Sequence, residues 1–176
     1  MKHPPSRTIF LNNDFGYRQA KEVIAGTLMA LSQQPQGFWL VSPWVTDFDL
    51  LDNRAKNWSN LNPAWEARKI RFYEVLIFCL ESGCEINLVT LRDGKSDVFL
   101  NRLLSGFDSD TGLSIIKSEK LHLKGLLTRD IWVAGSLNFT YSGLNRNQEQ
   151  VVVDSNPDTL LEAKLEFDHL YGGFII

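Results

Sequence analysis

Histidine and cysteine are scarce in this 176-residue chain, with three of the first and two of the second. Cys79 and Cys84 lack the paired spacing and partner histidines of a zinc site, and two cysteines make no disulfide framework. They are expected to be reduced, partly buried thiols, and no metal or cofactor is expected. Long apolar runs are also missing. The longest, VLIFCL at 75–80, is too short to cross a bilayer, and the amino terminus MKHPPSRTIF carries two prolines and no signal-length apolar stretch. The expectation is a cytoplasmic protein. Nor is there an excess of positive charge: a net charge of −3 excludes a generally basic coat, so any binding to a polyanion must rest on a local patch. No internal repeat or low-complexity segment appears.

What is present is ordinary for one soluble domain over residues 1–176, with 44% hydrophobic and 22% charged residues. Helical and strand signals alternate, which predicts an α/β fold: a mixed β-sheet with helices on both faces. Strands are expected at 8–11, 38–42, 85–91, 113–118, 121–128, 131–135 and 150–155, and helices at 17–32, 66–82, 96–105 and 157–171. Between them the stretch PWVTDFDLLDNRAKNWSNLNPAW, rich in Asn, Asp, Pro and Trp, reads as a long excursion without regular structure.

The chemistry-bearing stretch is KLHLKGLLTRDIWVAGSLNFT at 120–140. On a strand, His122 and Lys124 point to the same face, with Leu121, Leu123 and Gly125 on the other. An imidazole beside an ammonium suits a site that receives phosphate better than a dry core. If 131–135 folds back antiparallel on 121–128, the GSLN segment arrives near His122 and adds the Ser136 hydroxyl and the Asn138 amide, both able to donate to phosphate oxygens. Each piece alone is common turn or surface chemistry. Their ordered spacing is far less so.

This ordered pattern resembles the phospholipase D superfamily, whose signature runs H-x-K, four residues, Asp, six residues, G-S-x-N. His122, Lys124, Gly135, Ser136 and Asn138 carry the likeness, and the NFT at 138–140 is similar to the small single-motif bacterial endonucleases of that superfamily. Glu149, ahead of QVVVDS, matches the family's acidic residue before a strand, and LVSPWVTD at 40–47 matches its strand followed by Ser-Pro and an aromatic. One feature departs: Arg129 stands at the signature's Asp position and Asp130 comes one residue late, which a hairpin turn shortened by one residue would accommodate. In the family that Asp is mostly structural, so Asp130 and Gly135 are expected to shape the motif.

The resemblance implies a metal-independent phosphodiesterase that works through a covalent phosphohistidine. It implies His122 as nucleophile or acid, Lys124 and Asn138 as phosphate ligands, Ser136 as a hydroxyl partner, and Glu149 as the group that orients the imidazole. The mechanism needs two histidines. His3 sits in a Pro-flanked tail and His169 on the closing helix has no motif around it, so the expected partner is a second copy of His122 across the two-fold axis of a homodimer. A nuclease acting on DNA or RNA is the favoured function. Lys117, Lys120, Lys124, Arg129 and Arg146 around the motif offer a positive groove, Arg54, Lys56, Arg68, Lys69 and Arg71 add basic groups by the excursion, and Trp44, Trp58 and Trp65 are candidates for stacking on bases. Relatives of this kind also occur with partner proteins in restriction or defence systems, an analogy of family only. The alternatives are a phospholipase D-type lipid phosphodiesterase and a catalytically weakened nucleic-acid-binding subunit.

Overall fold

The sequence GFWLV, apolar at every position, belongs in the middle of a sheet covered on both faces, and there it lies. In the computed structural model, which describes residues 6–107 and 111–172, it forms β2 (Gly37–Val41), buried throughout. Phe38 and Leu40 enter one core while Trp39 and Val41 enter the other. Before it come β1 (Arg7–Leu11) and α1 (Asp14–Gln33), whose first turn is capped by Asn13 accepting a hydrogen bond from the Gly16 amide at 2.9 Å. After it come β3 (Asp49–Asp52), β4 (Lys69–Arg71), α2 (Phe72–Glu81), β5 (Glu85–Leu91), α3 (Asp97–Gly106) and β6 (Leu113–Ser118). The motif region supplies β7 (Gly125–Leu127), β8 (Trp132–Gly135), α4 (Tyr141–Asn145) and β9 (Glu149–Asp154), and α5 (Pro157–Tyr171) follows.

Seven strands form one mixed sheet in the order β1-β9-β8-β7-β2-β5-β6. The β2–β5 and β5–β6 pairs are parallel, and the β2–β7, β7–β8, β8–β9 and β9–β1 pairs antiparallel. Helices α1, α2 and α3 cover one face around Ile24, Leu28, Val75, Leu76 and Leu103. On the other face α5 lays Leu160 and Phe167 over Trp39, Val89 and Leu127, with Phe167 edge-on to Trp39 and Trp132 at centroid distances of 5.7 and 5.4 Å. The expected architecture, a mixed sheet with helices on both sides, is the one observed. Both cysteines are buried and free, with Cys79 and Cys84 donating to the Leu28 and Leu31 carbonyls of α1.

Three expectations are corrected. The excursion is not wholly irregular: β3 and β4 pair antiparallel through it, placing buried Leu51 opposite buried Ile70. Asn53, fully buried, then knits the loop, its amide donating to the Ser59 hydroxyl and to the Trp65 and Glu66 carbonyls while its oxygen accepts from the Trp58 amide. The helix expected from 66 begins only at Phe72, because 69–71 are committed to β4 and Glu74 accepts a hydrogen bond from the Arg71 amide to start the helix there. The strand expected from 121 begins only at Gly125, opposite Val41 of β2. His122 and Lys124 therefore lie on the extended segment leading into the sheet, where Leu121 is buried and Leu123 is exposed, and strict strand alternation does not apply.

Candidate active site

The antiparallel pairings bring the end of β2, the start of β7, the end of β8 and the start of β9 to one edge of the sheet, because Val41 faces Gly125, Gly125 faces Ala134, and Gly135 faces Val151. There a cleft of about 520 Å³ is lined by His122, Lys124, Gly135, Ser136 and Asn138, together with Trp44 and Leu121. The motif residues separated by up to sixteen positions in sequence are thus neighbours in space.

The GSLNFT segment is fixed piece by piece. Gly135 cannot be another residue without moving the sheet: a Cβ there would stand 2.0 Å from the Gln150 carbonyl oxygen. The Ser136 amide donates to that same carbonyl at 3.0 Å, and the Ser136 hydroxyl accepts from the Gln150 amide at 3.0 Å. That hydroxyl also donates, through a short hydrogen bond, to Glu149 at the start of β9. Phe139 is buried, with its amide donating to the Ser42 hydroxyl at 3.1 Å and its carbonyl accepting from the Thr46 amide at 3.0 Å. Thr140 caps α4 by accepting from the Gly143 amide. The NFT triplet thus divides its labour, Asn138 to the cleft, Phe139 to the core, Thr140 to the helix start. The Asn138 side-chain oxygen is buried, and among the described residues no donor meets it.

Lys124 donates to the backbone carbonyl of His122 at 2.6 Å. Burial pulls its pKa below that of an ordinary lysine, against the opposing pull of the Glu149 carboxylate. Glu149 spends its hydrogen bonds on Ser136 and on the Asn147 amide at 3.3 Å, so the structure brings it to the motif serine rather than to the imidazole expected. Asp130 is not at the cleft. It sits in the β7–β8 turn at the opposite end of the hairpin, 65% exposed, with only a 3.4 Å contact to Arg129. The turn is organised instead by the buried Thr128 hydroxyl, which accepts from the Asp130 and Ile131 amides at 3.2 and 2.9 Å.

Sequence reasoning did not foresee the work of Ser42 and Asp93. Ser42 ties the end of β2 to the motif through Phe139, and its only sequence signal was its place beside Pro43 and Trp44. Asp93 accepts from the Trp44 indole at 2.8 Å, a hydrogen bond that holds its carboxyl below the usual range. Of the candidate aromatics only Trp44 lines the cleft; Trp65 is buried and Trp58 packs against the core. Four of the five basic groups near the excursion are committed to carboxylates, Arg54 to Asp52, Arg68 to Glu74, Lys69 to Asp49, and Arg71 to Asp47 and Asp49, while Lys56 is exposed. Nearer the motif, Lys117 pairs with Asp97, Arg129 with Asp130, and Arg146 lies over the Tyr141 ring. His169 is an exposed residue of α5, and His3 lies outside the described residues. Among the described residues no three His, Cys, Asp or Glu side chains are grouped as metal ligands would be, and no helix is long and apolar enough to cross a membrane.

Residues 61–171 match the family described as cardiolipin synthase, PLD-like domain. Comparison with curated protein sequences finds no match. Among solved structures the chain is similar to Nuc from Salmonella typhimurium, a phospholipase D family member, at 15% identity and a TM-score of 0.59 over 92% of this chain and 90% of that one. It is similar to NucT from Helicobacter pylori at 12% identity and a TM-score of 0.59, covering 97% of this chain and 100% of the other. Polyphosphate kinase from Porphyromonas gingivalis shares the fold at 14% identity and a TM-score of 0.61, over 94% of this chain but 26% of the kinase.

Proposed function

Since this chain belongs to the phospholipase D-like domain family, with the fold of that phosphodiesterase superfamily, we propose that it is a metal-independent nuclease working as a homodimer. The observation that carries the reading is the convergence of His122, Lys124, Ser136 and Asn138 on one cleft at the sheet edge. One continuous sheet joining β1 near the amino end to β9 near the carboxyl end supports treating residues 1–176 as a single domain.

In this reading the His122 imidazole attacks the phosphorus of a phosphodiester; an N–P bond forms and the P–O bond to the leaving group breaks. The leaving oxygen takes a proton from the imidazolium of a second copy's His122. Water then attacks the phosphohistidine, giving its proton back to that second imidazole as the N–P bond breaks. Lys124 and Asn138 neutralise and orient the non-bridging oxygens, where charge accumulates in the transition state. The half-buried Lys124 ammonium is well placed for this, because a charge already partly stripped of water interacts more strongly with a phosphoryl oxygen. Ser136 is a positioning residue: its hydroxyl and amide clamp β8 to β9 and hold Glu149, whose charge in turn favours the protonated Lys124. In this reading the second histidine comes from another chain, which is supported by His169, the only other histidine among the described residues, not lining the cleft.

The test is incubation of the purified protein with single- and double-stranded DNA and RNA and with phosphatidyl lipid, in excess chelator, beside His122→Ala and a measurement of mass in solution. Cleavage of nucleic acid that needs His122 and survives chelation, by a dimer, is the expected result. Turnover of the lipid alone, or a monomer that cleaves nothing, rejects the proposal.

A further inference from the structure

Trp44 is held unlike any other tryptophan of the excursion. Its backbone is locked on both sides, the carbonyl accepting from the Ser42 hydroxyl at 2.7 Å and the next amide, of Val45, donating to the Ser96 hydroxyl at 3.0 Å. Ser42, Val45 and Ser96 are all buried, so the anchoring of this loop is done by the neighbours and not by the indole. The ring itself is only partly buried and lines the cleft beside His122 and Lys124. Its edge is pinned by the hydrogen bond to Asp93, and the Lys95 ammonium lies 4.3 Å from its centroid. Asp93 fixes Lys95 in turn, accepting from the Lys95 amide at 3.1 Å. The result is a rigid π-surface at the wall of the cleft, with the Lys95 ammonium over one of its two faces.

We propose that Trp44 is a stacking platform for an unpaired nucleobase next to the scissile phosphate, which makes it the residue that selects single-stranded nucleic acid at this cleft. The proposal rests on the nuclease reading and names the substrate class for it. A flat neutral base gains dispersion and electrostatic attraction on an indole held in one orientation, and loses little because no ring motion has to be frozen on binding. A base inside a duplex has both faces covered and cannot reach the ring, so only unpaired or splayed bases benefit. A quaternary-ammonium lipid headgroup, the other ligand that seeks an aromatic face, would meet Lys95 as a like charge across the same ring. Lys95, paired with Asp93 at 3.6 Å while 62% exposed, covers one face of the ring, which leaves the opposite face for the base.

The experiment measures equilibrium binding by fluorescence anisotropy in the His122→Ala background, so that the oligonucleotide stays intact. Two single strands are compared, one ordinary and one with abasic sugars throughout. The ordinary strand is expected to bind about tenfold or more tightly than the abasic one, and Trp44→Ala is expected to erase that difference while Trp44→Phe keeps most of it. A duplex should be indifferent to both substitutions. Equal binding of ordinary and abasic strands, or an equal loss on both with Trp44→Ala, overturns the proposal. Cleavage by the protein with its native His122 is read separately: if it cleaves nothing while the base-dependent binding remains, the nuclease reading fails and the stacking platform stands.

Discussion

The two ends of the β7–β8 hairpin answer to opposite demands. At the cleft end the two strands are clamped together: Gly135 lies against the Gln150 carbonyl with no room for a methyl group, and Ser136 bonds to β9 through amide and hydroxyl together. At the turn end, the exposed Asp130 carboxylate pairs with its neighbour Arg129, while one buried hydroxyl, that of Thr128, organises the chain reversal. Here the one departure from the family signature falls where it costs little. A turn can lose a residue if another side chain closes it, whereas a close approach of two strands beside a site admits no such exchange.

That contrast can be broken or sharpened by substitution. The largest effect is expected for His122→Ala, which should lower turnover of a phosphodiester by about a thousandfold or more while leaving the thermal unfolding transition in place. Gly135→Ala should destabilise the fold by about 3 kcal/mol, since its new methyl group collides with backbone that cannot rotate away; the midpoint of urea unfolding measures it. Thr128→Val should cost about 1 kcal/mol by the same measurement, from two amides left without their acceptor in a part-buried turn.

A gentler probe is pH. Burial lowers the Lys124 pKa, so raising the pH strips its proton earlier than from an ordinary lysine, and activity should fall on the alkaline side below the usual lysine range. Lys124→Arg should move that limb to higher pH, and an unmoved limb would show that another group sets it. The smallest effect belongs to Asp130→Ala, within about 0.5 kcal/mol in stability, because an exposed pair with its sequence neighbour is screened by water. If Asp130→Ala instead costs as much as Gly135→Ala, the two ends of the hairpin are alike and the contrast is lost.

Much of this was legible in the residues. The uninterrupted apolar run of β2, the Asn156-Pro157 start of α5 and the spacing of the motif each have a local cause, and each appears where it was expected. What was not legible depends on partners remote in sequence. The segments DLLD and KIR are too short to show a period of two, and they become β3 and β4 only because Leu51 and Ile70 share a core with α1 and α2. The same pairing shortens α2 at its start. Residues 121–124 look like strand by composition, yet β2 ends at Val41, opposite Gly125, so they have no ladder to join. At the cleft, the nearness of His122, Lys124, Ser136 and Asn138 is what folding 131–135 back on the preceding strand leads one to expect. The partner of Glu149 did not, because the choice between a serine hydroxyl and an imidazole is made by the register of β8 on β9.

The pairing of β1 with β9 has a consequence for the newborn chain. Arg7 lies opposite Val153, so β1 finds its sheet partner far along the polypeptide, whereas α1 packs mainly on β1, α2 and β3 and meets later residues through contacts such as the Tyr17 hydroxyl donating to the Asn147 carbonyl. At a translation speed of about 5–20 residues per second, that leaves the opening segment waiting roughly ten seconds or more before its sheet partner leaves the ribosome. During this interval β1 lacks its strand partner, while α1 can already pack on α2 and β2 can pair with β5. The cleft joins residues 121–138 to Pro43, Trp44 and Leu91, so a polypeptide that stops short of the GSLN segment carries only part of its lining.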